Sequence, residues 1–231
     1  MDKIFFAHPI ALFNQIDKLL QKVGPEKFFR SSDEEVKKAK EGLAAYFFTL
    51  AMKKNTGRDW WLFQPNQAER SYPDFDFISF AEDPDDIRME SVELTGVYPN
   101  FKSFDEVVGV VEKKQKKYGN KPVKFSLPIF FNHGKSEEWI DLLRNKINSE
   151  HPFLSIWTMH LLFKKGGREV QKAVAQKIMP LPGLRIEADM DDSGIHKPQP
   201  LPSCVEQYKE GEKTHITFKP DFINKVKNYK K

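Results

Sequence analysis

Apolar positions recur at helical spacing at Leu12, Ile16, Leu19, Leu20 and Val23, which predicts a first helix that Gly24-Pro25 closes. Ser32-Asp33-Glu34-Glu35 carries the signature of a capping box. The helix that follows has one apolar stripe (Val36, Leu43, Phe47, Leu50) and ends at Asn55-Thr56-Gly57. Strand-like segments come next at Asp59–Phe63, Asp74–Phe80 and Ile87–Tyr98. Phe101–Tyr118 reads as a helix with Phe104, Val107, Val108, Val111 and Tyr118 on one side, and Asn120-Lys121-Pro122 breaks it. Val123–Phe131 is a strand, Ser136–Asn148 a helix and Phe153–Phe163 a strand. Helical crossovers between strands join the later strands in parallel, so the expected class is α/β, with a mixed central β-sheet flanked by helices.

After Phe163 the pattern is less regular. Lys164-Lys165-Gly166-Gly167 is a turn, Arg168–Lys177 reads as a short helix, and Pro180–Pro202 as an extended loop or cover. Thr214–Phe218 reads as a strand and Pro220–Asn228 as a closing helix. The expected division is an N-terminal helical segment (1–31), an α/β core (32–163) and a C-terminal extension on that core (164–231).

Two acidic strand segments carry the candidate chemistry. Side chains alternate across a strand, so in Tyr72-Pro73-Asp74-Phe75-Asp76-Phe77 the two aspartates share one face. In Ser91–Val97, Val92, Leu94 and Val97 are apolar, whereas Ser91, Glu93 and Thr95 line the other face. Ala81-Glu82-Asp83-Pro84-Asp85-Asp86 has turn chemistry, and a hairpin there brings the acidic faces together. Carboxylate oxygens on adjacent rigid strands suit a hard cation such as Mg²⁺ or Mn²⁺. Glu93 lies between Val92 and Leu94 in a strand expected to be central, where a carboxylate needs a counter-charge or a metal.

The 231 residues carry a net charge of only +4, but acidic residues crowd between Asp74 and Glu93. Lys113-Lys114-Gln115-Lys116-Lys117 and the last seven residues are basic, an arrangement that suits a metal site meeting phosphate. One cysteine, Cys204, excludes an intramolecular disulfide and a cysteine zinc cluster. The six histidines show no metal-binding spacing, and His160, within an apolar strand, reads as a satisfied core histidine. Phosphate-loop, nucleophile-elbow and dinucleotide motifs are absent from the sequence. Apolar runs such as Leu43–Met52 stop short of a bilayer span, and a soluble cytoplasmic protein with no membrane partner is expected.

The order helix, three strands, helix, strand, with Pro73-Asp74 on the second strand and Glu93-Leu94-Thr95 on the third, resembles the PD-(D/E)xK restriction-endonuclease-like superfamily over about Glu35–Phe131, extending to Phe163. The resemblance implies an αβββαβ core and a Mg²⁺- or Mn²⁺-dependent nuclease acting on nucleic acid, DNA foremost. Asp74 and Glu93 are then the metal ligands, and Asp76 and Glu41 complete the shell or a second site. Thr95 occupies the position of the usual lysine and lacks its charge, although its hydroxyl can hold a water. Lys114 or Lys117 on the following helix is a candidate to supply that charge. Gln115, among apolar neighbours Val108, Val111 and Tyr118, needs a polar partner, and is with Lys114 a catalytic candidate to orient the attacking water. A homodimer is compatible with the family. The alternative reading is a nuclease-like module that binds nucleic acid or a protein partner without cutting.

Overall fold

The computed structural model describes residues 5–7, 9–64, 77–82, 87–119, 125–133, 135–147, 151–163, 170–180, 183–189, 200–211 and 213–229. Asp74 and Asp76, and the turn at 83–86, lie outside the described residues. The elements are β1 (Phe5–Ala7), α1 (Pro9–Val23), α2 (Pro25–Arg30), α3 (Glu34–Thr56), β2 (Trp60–Gln64), β3 (Phe77–Glu82), β4 (Ile87–Val92) and β5 (Thr95–Val97). They continue with α4 (Phe104–Tyr118), β6 (Phe125–Phe131), α5 (Ser136–Lys146), β7 (Ser155–Phe163), β8 (Val170–Met179), β9 (Leu184–Asp189), β10 (Val205–Glu210), β11 (Lys213–Phe218) and α6 (Pro220–Tyr229).

A mixed sheet runs in the order β1-β2-β3-β4-β6-β7-β8-β9, with β5 also pairing β6. β2, β3 and β4 form an antiparallel meander, and Phe77 opposite Val92 sets the register of the expected hairpin. β4 and β5 pair β6 in parallel, and β6 pairs β7 in parallel, as the helical crossovers require. β8 and β9 then add antiparallel strands.

α3 forms the floor of one face. Asp33 caps it by accepting hydrogen bonds from the Glu35 and Val36 amides at 2.9 and 3.3 Å, and Gly57 ends it in the left-handed conformation (φ 69°) that favours glycine. Its apolar stripe is wider than expected. Leu43 through Met52 are all buried, because α3 lies between the sheet and α1 and has no solvent side there. Gly42 allows that close crossing: a Cβ on it would come within 2.9 Å of Ile16 Cδ1. Trp60, Leu62, Ala81, Val92, Leu94, Phe130, Trp157 and Met159 meet α1, α2 and α3 in this core.

On the opposite face, Val107, Val111 and Tyr118 of α4 and Trp139, Ile140 and Leu143 of α5 pack on Leu127, Ile129 and Phe131. The ribbon β10–β11 and α6 bury Cys204, Val205, Phe218 and Phe222 against Trp61 and Phe80. Among the described residues no helix is long and apolar enough to cross a membrane.

Four expectations need correction. Where described, Arg168–Lys177 is not a helix: Val170–Lys177 belongs to β8, whose Ala173 and Ala175 face the α3 core while Ile178 faces the other. Val170, Val174 and Ile178 repeat every four residues, a spacing that satisfies both a helix and one face of a strand, and the open edge of β7 decides for the strand. Within Pro180–Pro202, Leu184–Asp189 is strand β9. The third strand is not continuous, since β4 stops at Val92 and β5 starts at Thr95. His160 is buried, yet among the described residues neither ring nitrogen has a hydrogen-bond partner; Glu137 Oε1 lies 3.7 Å from Nε2, and burial holds the imidazole below its ordinary pKa.

Candidate active site

The break between β4 and β5 holds Glu93 and Leu94. The Glu93 amide donates to the Ser126 carbonyl of β6 at 3.0 Å, which keeps the residue tied to the sheet across the interruption. Leu94 joins the α3 core, so the neighbouring Glu93 side chain goes to the α4 side. There it is 2% exposed.

α4 meets it with three donors at positions one helical turn apart. Lys114 Nζ donates to Glu93 Oε1, Lys117 Nζ approaches the same oxygen at 3.3 Å, and the Tyr118 hydroxyl donates to Oε2 at 2.8 Å. The carboxylate is therefore compensated, as burial demands. The two ammonium groups outnumber it and are themselves partly exposed, 25% for Lys114 and 40% for Lys117.

Beside this cluster lies a cavity of about 470 Å³. α3 contributes Lys37, Lys40, Glu41 and Ala44 to its wall, and the β5 region Leu94, Thr95, Gly96, Tyr98 and Asn100. Lys114 completes it from α4, and Phe29–Ser32 from the α2–α3 junction. Gly96 leaves room for the Tyr98 ring at this wall. A Cβ on it would stand 2.5 Å from the Tyr98 ring and hydroxyl. Burial pushes the Tyr98 phenol above its ordinary pKa, aided by the Glu41 charge.

Lys40 is the residue the sequence reading missed. It is 5% exposed, donates to the Ser31 carbonyl at 2.9 Å and the Phe29 carbonyl at 3.5 Å, and sits over the Tyr98 ring at 4.4 Å. Burial, then the Lys37 charge, lowers its pKa, and Glu41 opposes that shift. The signal was available: Val36, Lys40, Leu43 and Phe47 lie on one helical stripe, and a lysine among apolar positions needs acceptors.

A second polar group crosses the sheet nearby. Ser126 Oγ donates to Glu90, shares a hydrogen bond with Ser155 Oγ, and Ser155 in turn accepts from Trp157 Nε1 at 2.8 Å. Burial raises the Glu90 pKa, while the Ser126 hydrogen bond and Lys177 oppose it. Glu90 and Val92 alternate onto the α3 face, so this group is distinct from Glu93.

Of the expected residues, Glu93 and Lys114 are in direct contact, and Thr95, Glu41 and Lys114 line one cavity. Glu41 is exposed and Thr95 half-buried at its wall. Gln115 is partly buried, next in sequence to Lys114. Asp74 and Asp76 lie outside the described residues. Among the described residues no three histidine, cysteine or carboxylate groups come together to hold a metal. Glu93 has the right donor atoms for Mg²⁺, but the described residues alone do not complete a cation site. A cation at Oε1 would take the place of a lysine head and would need further ligands. No family model, no curated protein and no solved structure matches the chain.

Proposed function

We propose that the chain is a metal-dependent phosphodiesterase acting on nucleic acid, with DNA as its first substrate, built on a restriction-endonuclease-like αβββαβ core. The observation that carries this reading is the coincidence of element order and corner. α3, the antiparallel β2–β3–β4 meander, α4 and the parallel strand β6 follow one another in the order that the resemblance implies. Thr95, Lys114 and Glu41, named from the sequence, line one cavity beside the strand break, and Lys114 also donates to Glu93.

In this reading Glu93 is a metal ligand together with Asp74, and Asp76 and Glu41 are candidates to complete the shell. Bound Mg²⁺ or Mn²⁺ would polarise the scissile phosphate and generate the attacking hydroxide. The chain's own residues orient and neutralise. Lys114, released from Glu93, offsets charge that develops on the phosphate, and Lys117 shares this task from the next turn. The Thr95 hydroxyl holds a water at the cavity wall, and Tyr118 keeps the Glu93 carboxylate oriented through Oε2.

Lys114 is thereby given the work of the lysine missing at position 95. Lys114→Met should lower cleavage about 100-fold, and adding Thr95→Lys to that variant should restore at least a tenth of the activity. Initial rates on a labelled oligonucleotide measure both. Unchanged cleavage in Lys114→Met removes this assignment.

One observation favours a second reading, a nuclease-like module that binds without cutting. Glu93 is already neutralised by two ammonium groups and a phenol, and Thr95 adds no charge. Nucleic-acid binding without cleavage in Mg²⁺ or Mn²⁺ would select it.

A further inference from the structure

We infer that this face takes nucleic acid as a single strand, along a trough that begins at the α1–α2 junction and ends in the cavity beside Thr95. The inference rests on reading the corner as a nucleic-acid site, but not on hydrolysis there. A second, open cavity of about 850 Å³ is lined by Val23–Lys27 and Arg30–Ser32. Arg30, Ser31 and Ser32 line both cavities, so the two adjoin.

Charge along this path has one dominant sign. Lys27, Arg30, Lys37, Lys40 and Lys114 line it, opposed by Glu26 and Glu41. Arg30 is paired with Glu26 at 3.7 Å and Lys37 with Glu34 at 2.6 Å, both at the surface. Such exposed pairs are weak, and a phosphate can replace either carboxylate. Hydroxyls of Ser31, Ser32 and Thr95 and the Asn100 amide supply neutral hydrogen bonds along the same wall.

Size selects between strand and duplex. The inner cavity of about 470 Å³ has room for one unpaired unit, whereas the bases of a duplex are stacked and paired and one enters such a pocket only by being extruded. The cavity lies within the range of a pocket for one small-molecule unit. A basic groove that follows one backbone is the usual arrangement for single strands.

The test is fluorescence anisotropy of labelled 20-nucleotide oligo(dT) and of a duplex of equal length, in EDTA, across a salt series. The single strand should bind at least ten-fold more tightly than the duplex. Lys27→Glu/Arg30→Glu, exposed positions on α2, should weaken single-strand binding at least ten-fold and reduce the salt slope by about 1.4, from about 0.7 per phosphate contact. Lys209→Glu, on exposed β10, should bind as the wild type does, and melting curves verify that both variants fold. Equal or tighter duplex binding, absence of binding to either, or an unaffected α2 variant overturns the inference. Because no metal is present, failure here leaves the cleavage proposal standing, and single-strand binding without cleavage in Mg²⁺ leaves this inference standing.

Discussion

Glu93→Gln should lose at least about 100-fold of the metal-dependent cleavage while its melting temperature stays close to that of the wild type. Glutamine keeps the size and an oxygen for the Tyr118 hydroxyl, so the packing of α4 on β6 is retained. It removes the negative charge that would hold a cation. Glu93→Ala separates the structural part of the same residue. It removes the Glu93 carboxylate from the buried Tyr118 hydroxyl, at a cost of about 1–3 kcal/mol. Lys114 and Lys117 also lose the Glu93 carboxylate, but both side chains reach solvent and add less. Activity should therefore fall in both variants and stability chiefly in alanine. Thermal melts beside cleavage rates measure the two effects. Wild-type activity in Glu93→Gln would remove the carboxylate from the chemistry.

The largest loss of stability is expected at Phe130. Its side chain is fully buried on β6, stacked with Phe47 at 6.1 Å and Phe29 at 6.4 Å between ring centroids. It joins the parallel strand to α3 and to the helix whose end borders the cavity. Phe130→Ala should cost about 3–5 kcal/mol, a fall in melting temperature of roughly 6–20 °C for a chain of this size. A change below about 2 °C would show that the ring stack does not hold the two layers together. Ala44 lines the cavity from α3, Leu94 from the strand break, and both belong to this core. Loosening the stack should also blunt the site.

The core of this fold was legible because its periods are unambiguous. α1 repeats Leu12, Ile16, Leu19 and Val23, α3 has a cap and a glycine stop, and the apolar run at β6 is bounded by turn residues. β8 was not legible, since its Val170, Val174 and Ile178 spacing suits two conformations and only the unpaired edge of β7 distinguishes them. β10 was missed because its residues from Glu206 to Glu210 are all exposed and show no buried alternation.

The site divided in the same manner. Glu93 stood out as a charge in an apolar strand, and Lys114 from its position on the next helix. Their direct contact was a matter of tertiary placement, which sequence spacing between two different elements does not set. Tyr118 read as a core aromatic, and its ring is one; the hydroxyl at its tip reaches Glu93. The Glu90–Ser126–Ser155–Trp157 group joins three strands distant in sequence, and each member alone resembles an ordinary polar strand residue.

We propose that the break between β4 and β5 is a metal-dependent hydrolytic site. Its most direct test is incubation of the purified wild-type chain with labelled single-stranded DNA and with plasmid, in Mg²⁺, in Mn²⁺ and in EDTA, beside Glu93→Gln. Cleavage in either metal, abolished by EDTA and by the glutamine substitution, is the predicted result. Intact substrate under every metal condition, or cutting that survives EDTA or the loss of the Glu93 charge, would contradict it.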